Sequence, residues 1–403
     1  MRIVSIAFGA WLALSFLIAG AQQVCAYRWN LPPWAAPPIV PADNPMTNEK
    51  VTLGRFLFYD KRLSLNQQFS CATCHQQKFG FTDDKVTAIG STGERHPRRA
   101  STLTNVGYNT VLTWANPLQR RLETQMLVPM FGEHPVELGL AGHEKELVAR
   151  LRADARYPQL FKAAFPEKNE PISLETITKA IASFERTMIS LSSPYDRYRY
   201  GGDQHAISDS AKRGEALFFS EKLECFHCHG GVNFTDSAAD TRTRIFHVAF
   251  HNTGLYNLGP DGRYPANNLG AYEITRQAKD MGAFKAPTLR NVAVRPPYMH
   301  DGSVKDLDAV LDHYSAGGRT ITDGPYEGVG ALNPHKDLVL KGFHLSGQDR
   351  RDLIEFLNSL TDRQFLTNPD LSDPFQQASA SSAALRHAQD DNTGVRRKVG
   401  SWR

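Results

Sequence analysis

The 403-residue chain is short of cysteine, of charge of one sign and of long apolar runs. It has five cysteines, too few for the disulfide framework of a small secreted scaffold. Its net charge is only +4, and no Lys/Arg tract interleaves with aromatics, so nothing marks a nucleic-acid surface. One apolar run stands out, Ile3 to Ile18 after Arg2, and it is shorter than the ~20 residues of a membrane span. Small residues follow it, with Val24-Cys25-Ala26 as the expected cleavage site and Ala19-Gly20-Ala21 as its rival. Residues 1–26 therefore read as a signal peptide, whose removal leaves no membrane anchor. Cys25 as a lipidation cysteine is the other reading, and bulky Val24 before it speaks against that. Hydrophobic content of 41% and charged content of 22% fit a soluble globular protein long enough for two or three domains.

What is present is concentrated. Four of the five cysteines lie in Cys71-Ala72-Thr73-Cys74-His75 and Cys225-Phe226-His227-Cys228-His229. Each is a C-x-x-C-H, the attachment pattern of a c-type haem. Two thiols form thioethers to one porphyrin, and His75 or His229 becomes the proximal iron ligand. With cleavage after Ala26, every remaining cysteine belongs to a haem. Two covalent haems make the function a redox one. Covalent haem attachment takes place outside the bacterial cytoplasm, so the motifs and the signal peptide agree on a periplasmic location.

The chain repeats itself around these motifs. Gly54-Arg55-Phe56-Leu57-Phe58-Tyr59 precedes the first and Gly214-Glu215-Ala216-Leu217-Phe218-Phe219 the second. Phe81-Thr82-Asp83 answers Phe234-Thr235-Asp236, and Thr102-Leu103-Thr104-Asn105-Val106 answers Thr288-Leu289-Arg290-Asn291-Val292. The expectation is a mainly α fold of two cytochrome c-like haem domains, 46–200 and 201–375, with long loops. A Pro/Trp-rich arm, 27–45, precedes them, and a polar tail, 376–403, reads as disordered. Apolar spacing predicts helices over Leu174–Leu191, Val304–Tyr314 and Asp349–Leu360.

The two halves are not equivalent. Nine residues after Asn291 is His300, and fourteen further is Tyr314. Nine residues after Asn105 is Trp114, and fourteen and fifteen further are Val128 and Pro129. The second half can present Tyr314 to iron where the first presents side chains that cannot ligate. An open first haem and a closed second one follow.

On both C-x-x-C-H motifs, Thr102-Leu103-Thr104-Asn105, Gln125 with Pro129, Pro287-Thr288-Leu289-Arg290-Asn291 and Tyr298-Met299-His300-Asp301-Gly302, the stretch from Thr47 to Leu360 resembles the bacterial di-haem cytochrome c peroxidase family. Tyr314 stands where the peroxidases carry a methionine ligand, and it resembles the MauG branch. Trp114-Ala115-Asn116-Pro117 to Glu137-Leu138-Gly139 resembles the MauG-like enzymes of methanobactin operons (MbnH).

The resemblance implies a periplasmic enzyme that uses hydrogen peroxide, stores its oxidising equivalents as a bis-Fe(IV) state and oxidises a partner protein, in the MbnH subgroup a tryptophan to kynurenine. It implies Trp114 as the relay between the haems and Glu137 as the distal proton carrier, with Gln125 and Pro129 lining the same pocket. It also implies a Ca²⁺ between the haems, held by Asn105 and the backbone carbonyls of Arg295 and Pro297. Arg295 departs from the usual threonine there, and Ala115-Asn116-Pro117 departs from the family's Asp-Gly-Arg. His96 lies in the loop that supplies a removable distal histidine in typical peroxidases, although a solvent-exposed loop histidine is the stronger reading. His143, His247, His251, His313, His335 and His344 receive no role.

Two other functions stay open. The first is a cytochrome c peroxidase fed electrons by a small redox protein. Anionic Tyr314 counts against it by lowering the potential of the second haem. The second is a non-enzymatic electron carrier, which would need both irons closed.

Overall fold

The computed structural model describes residues 27–376. The signal-peptide reading and nearly all of the tail lie outside these residues. The described chain is mainly helical, with one two-stranded antiparallel sheet, Thr320–Ile321 with Gly328–Val329. No helix among the described residues is long and apolar enough to cross a membrane.

Two helix pairs organise the molecule. Helix Asn48–Tyr59 packs on helix Leu174–Glu185, and helix Asp209–Phe218 packs on helix Gly347–Ser359. Leu174–Glu185 starts where the Ser173 side chain accepts from the Thr176 amide, and its apolar face is Ile177, Ala180, Ile181 and Phe184. Gly347–Ser359 starts in the same way at Ser346, whose hydroxyl accepts from the Asp349 amide. Each pair closes at a glycine. A Cβ on Gly54 would lie 1.9 Å from the Ala180 carbonyl oxygen, and one on Gly214 would lie 1.9 Å from that of Asp352. No side chain fits at either crossing, which is why glycine recurs in the two matching segments.

Around these pairs lie two apolar cores. The first gathers Leu53, Leu57, Phe58, Phe81, Ile181 and Phe184; the second gathers Phe218, Phe234, Leu311, Leu353 and Phe356. A third cluster holds Ala115, Leu255, Tyr264, Phe284 and Val304, with Trp114 packed against it.

Two features depart from the sequence expectations. The helix that begins at Leu174 ends at Glu185, because the chain then turns to bring Ser190 onto Asn105. Phe365 and Leu371, assigned by sequence to the second domain, pack in the first core. Gln77 Nε2 donates to the Phe365 and Asn368 carbonyls at 3.0 and 2.9 Å, and the Tyr59 hydroxyl donates to Leu371 O at 2.7 Å. The Pro/Trp-rich arm has no helix and is fastened down along its length. Tyr108 donates to Ala36 O at 2.8 Å, the Thr241 amide donates to Pro37 O at 3.1 Å, and Trp34 stacks on Tyr200 at 4.1 Å.

Candidate functional site

The two haem motifs adopt matching local geometry. Cys71–Cys74 and Phe226–His229 are single helical turns. The His75 Nδ1–H donates to the Phe81 carbonyl at 2.9 Å, and the His229 Nδ1–H donates to Phe234 O at 3.1 Å. A carbonyl can only accept, so Nδ1 carries the proton in each ring and Nε2 keeps the lone pair a metal needs. Phe81 and Phe234 both sit at positive φ, 57° and 50°, which turns their carbonyls back toward the rings. None of the four motif cysteines is paired in a disulfide, and burial raises the Cys74 and Cys225 thiols well above their usual value. Unpaired cysteines in buried surroundings beside a tautomer-fixed imidazole suit a covalently held porphyrin.

Around the first motif are Glu137 and His96. Burial pushes the Glu137 carboxyl up to about 7. Its Oε1 lies 3.8 Å from His96 Nε2. Two backbone bonds hold it there: the Ser91 amide donates to Glu137 O at 2.7 Å, and the Leu138 amide donates to Pro129 O at 2.9 Å. The Arg98 amide donates to His96 Nδ1 at 3.0 Å, which turns Nε2 toward the carboxylate. Burial also lowers the His96 pKa below the usual imidazole value. His96 is therefore not the solvent-exposed loop histidine expected from sequence; the fold pairs it with Glu137. Gln125 ends the turn Leu122–Gln125, and Val128 and Pro129 lie in the next, Leu127–Phe131.

Around the second motif the arrangement differs. Tyr314 sits near the end of helix Leu307–Ser315, and its phenol is pushed well above its usual value by burial and then by the Cys228 and Cys225 thiols beside it. His251, given no role from sequence, lies between two carboxylates. Its Nε2 is 2.7 Å from Asp236 Oδ2 and its Nδ1 is 2.8 Å from Asp337 Oδ2. Burial opposes its charge, yet bonds to Asp236, Cys228 and Asp337 raise it to about 11. No local sequence signal could have found this bridge, because its three members lie far apart in the chain.

Between the motifs, the Trp114 Nε1–H donates to Arg99 O at 3.0 Å, and the Lys285 amide donates to Trp114 O at 2.8 Å. Asn105 is buried, its Oδ1 accepting from the Ser190 amide at 2.6 Å and its Nδ2 donating to Ser190 O at 3.1 Å and to Asn233 Oδ1 at 2.7 Å. Arg295 O accepts from Arg99 Nη1 at 3.0 Å.

A sequence profile described as di-haem cytochrome c peroxidase matches residues 48–205. The methylamine utilization protein MauG of Methylorubrum extorquens is 36% identical over 323 residues, which cover 79% of this chain and 80% of that protein. The chain belongs to the di-haem cytochrome c peroxidase family, on its MauG side. MauG of Methylophilus methylotrophus is 35% identical over 354 residues, covering 85% of this chain and 94% of that one. The crystal structure of a MauG-like protein associated with microbial copper homeostasis is 48% identical, with a TM-score of 0.85, over 87% of this chain and 100% of that chain. As a member of the family, the chain is a peroxide-dependent di-haem oxidoreductase carrying two c-type haems.

Proposed function

We propose that this di-haem oxidoreductase works in the periplasm and spends peroxide on oxidising a partner protein, at a tryptophan, to a kynurenine-type product. The observation that carries this reading is the asymmetry of the two motifs. Glu137 and His96 face each other beside the first, whereas a buried tyrosine, Tyr314, stands near the cysteines of the second. The apolar run from Ile3 to Ile18 and the covalent haem motifs support export. The repeated helix pairs, each closed at a glycine, support two haem modules, with residues 363–375 returning to the first.

Cys71, Cys74 and His75 would hold one haem, and Cys225, Cys228, His229 and Tyr314 the other. The haem held at His75 would supply the two-electron reduction of peroxide. Glu137 takes the proton from the attacking peroxide oxygen and delivers it to the departing one, work suited to a carboxyl whose pKa is near 7. His96 turns its Nε2 toward Glu137, 3.8 Å away, close enough to meet the carboxylate as it exchanges its proton. Gln125 and Pro129 wall the same pocket, Pro129 through its bond to the segment carrying Glu137. Trp114, tied to Arg99 on one side and Lys285 on the other, carries electrons between the modules. The partner then needs no pocket, since the oxidant reaches its side chain as a missing electron.

The test is mass spectrometry of a neighbour-encoded protein co-expressed with this enzyme, before and after peroxide. A tryptophan that has gained one oxygen and lost one carbon, the composition of kynurenine, or that has gained two oxygens, as in its N-formyl precursor, is expected. Fast turnover of reduced cytochrome c with no change in the partner would favour the electron-fed peroxidase instead. The asymmetry has its own test. Ferric EPR should show one high-spin and one low-spin haem, and Tyr314→Phe should abolish or move only the low-spin signal. An unaltered low-spin signal would remove Tyr314 from the ligand set.

A further inference from the structure

Of the three residues expected to hold a calcium ion, Asn105 and Arg295 have their oxygens already engaged, which leaves the Pro297 carbonyl alone of the set. A Ca²⁺ site needs six to eight oxygens free to turn toward the ion. The only side-chain oxygen of Asn105 is bound to the Ser190 amide, and its amide nitrogen bonds the Ser190 carbonyl. That double contact fixes which end of the amide faces which way. The Arg295 carbonyl already accepts from the Arg99 guanidinium at 3.0 Å. Positive charge is also gathered here. Arg99, Arg295 and Lys285 are all buried, at 6%, 7% and 7% exposure. Arg295 donates to the Thr288 carbonyl, and Lys285 Nζ donates to Val111 O at 3.3 Å.

Arg99 is the hub of this cluster. Its amide donates to His300 O at 3.0 Å, and its own carbonyl accepts the Trp114 indole N–H at 3.0 Å. Its Nη1 reaches Arg295 O, and its Nη2 donates to Asp83 O at 2.7 Å, two residues after the carbonyl that holds His75. The side chain thus joins the loop after the first haem motif to Arg295, and the Arg99 backbone amide joins the same segment to the Tyr298-Met299-His300 loop. The Arg99 backbone fixes the indole between them.

We propose that Arg99, backed by Arg295, takes the place of the bridging divalent cation, so that this chain clamps its halves across Trp114 with a fixed guanidinium and binds no calcium there. A guanidinium suits the task because it is always charged and carries several donors in a rigid plane, which can serve two carbonyls at once. Arg99 is a positioning residue: it acts on Trp114 and touches no reacting atom. The proposal does not depend on which partner the enzyme oxidises.

The test uses the holoenzyme purified with millimolar calcium present and then desalted. Elemental analysis should find two irons and no stoichiometric calcium. A chelator should leave both EPR signals and the melting temperature unchanged, and added calcium should not raise that temperature. One calcium per chain surviving desalting would overturn the proposal. So would a chelator-induced spectral change that calcium, and not magnesium, reverses. Arg99→Lys keeps the charge but loses the fork. It is expected to shift the EPR parameters and lower the melting temperature, with no rescue by calcium. Spectra and melting identical to the parent would refute the clamp, and rescue by calcium would refute the replacement. If this variant does not fold, the elemental analysis of the parent decides.

Discussion

Glu137 shows how a carboxyl acquires a task from its surroundings. Burial alone raises it to about 7, so near neutrality it can both take and return a proton. If it is the base for peroxide, the rate of the peroxide reaction should climb as pH rises through about 7 and flatten above, as the carboxylate form fills. Glu137→Gln should lose this pH dependence and slow the step by about 10²–10⁴-fold. Stopped-flow mixing with peroxide between pH 5 and 9 checks both, and a rate unaffected by the substitution would remove Glu137 from the chemistry. The two attachment motifs, with His75 and His229 held alike by the Phe81 and Phe234 carbonyls, were legible in the sequence, because attachment chemistry and the repeat fix short spacings; the contrast between Tyr314 and Val128/Pro129 is a reading of the repeat that the EPR experiment tests. The pairing of His96 with Glu137 was not. It depends on two loops joined by backbone bonds from Ser91 and Leu138, which leave no periodic trace. The same holds for His251 between Asp236 and Asp337.

Among the elements, helix Leu174–Glu185 was readable from its apolar stripe and its Ser173 cap, but its C-terminal end was not. The sequence keeps an apolar pattern as far as Leu191, and the chain leaves the helix so that Ser190 can meet Asn105 and Asp362. At that end Glu185 is buried at 5% exposure, and its Oε2 has no hydrogen-bond partner. Burial raises its pKa to about 8 from 4.5, and Arg186 beside it only partly opposes the shift. The native state therefore keeps this proton up to about pH 8, whereas the unfolded chain releases it near 4.5. Stability should fall as pH rises through that window and change no further above it. Glutamine carries no such penalty. Glu185→Gln is expected to melt close to the parent at pH 4.5 and above it at pH 9, at about 1.4 kcal/mol per unit of pKa difference. An equal shift at both pH values would show that this carboxyl is already ionised in the fold.

Over the whole molecule, the first core depends on the last described segment of the chain. Phe365 is 3% exposed and meets Phe81 edge-on at 5.6 Å. The Phe81 carbonyl in turn holds the His75 ring. Residues that follow the second core thus support the proximal side of the first motif. A division drawn from the repeat placed these residues in the second domain, since neither Phe365 nor Leu371 belongs to a repeated segment. Their place follows from bonds between distant parts of the chain, such as that from Gln77 to Phe365, 288 residues apart. Phe365→Ala removes an aromatic from a closed core and should cost about 3–5 kcal/mol. It should also free the Phe81 ring and loosen the carbonyl that orients His75. The expected signature is a lower melting temperature together with a broadened or shifted high-spin EPR signal, the low-spin signal staying as it is. If instead the low-spin signal moved and the high-spin one did not, the return segment would serve the second motif, and the chain of contacts from Phe365 through Phe81 to His75 would carry no functional weight.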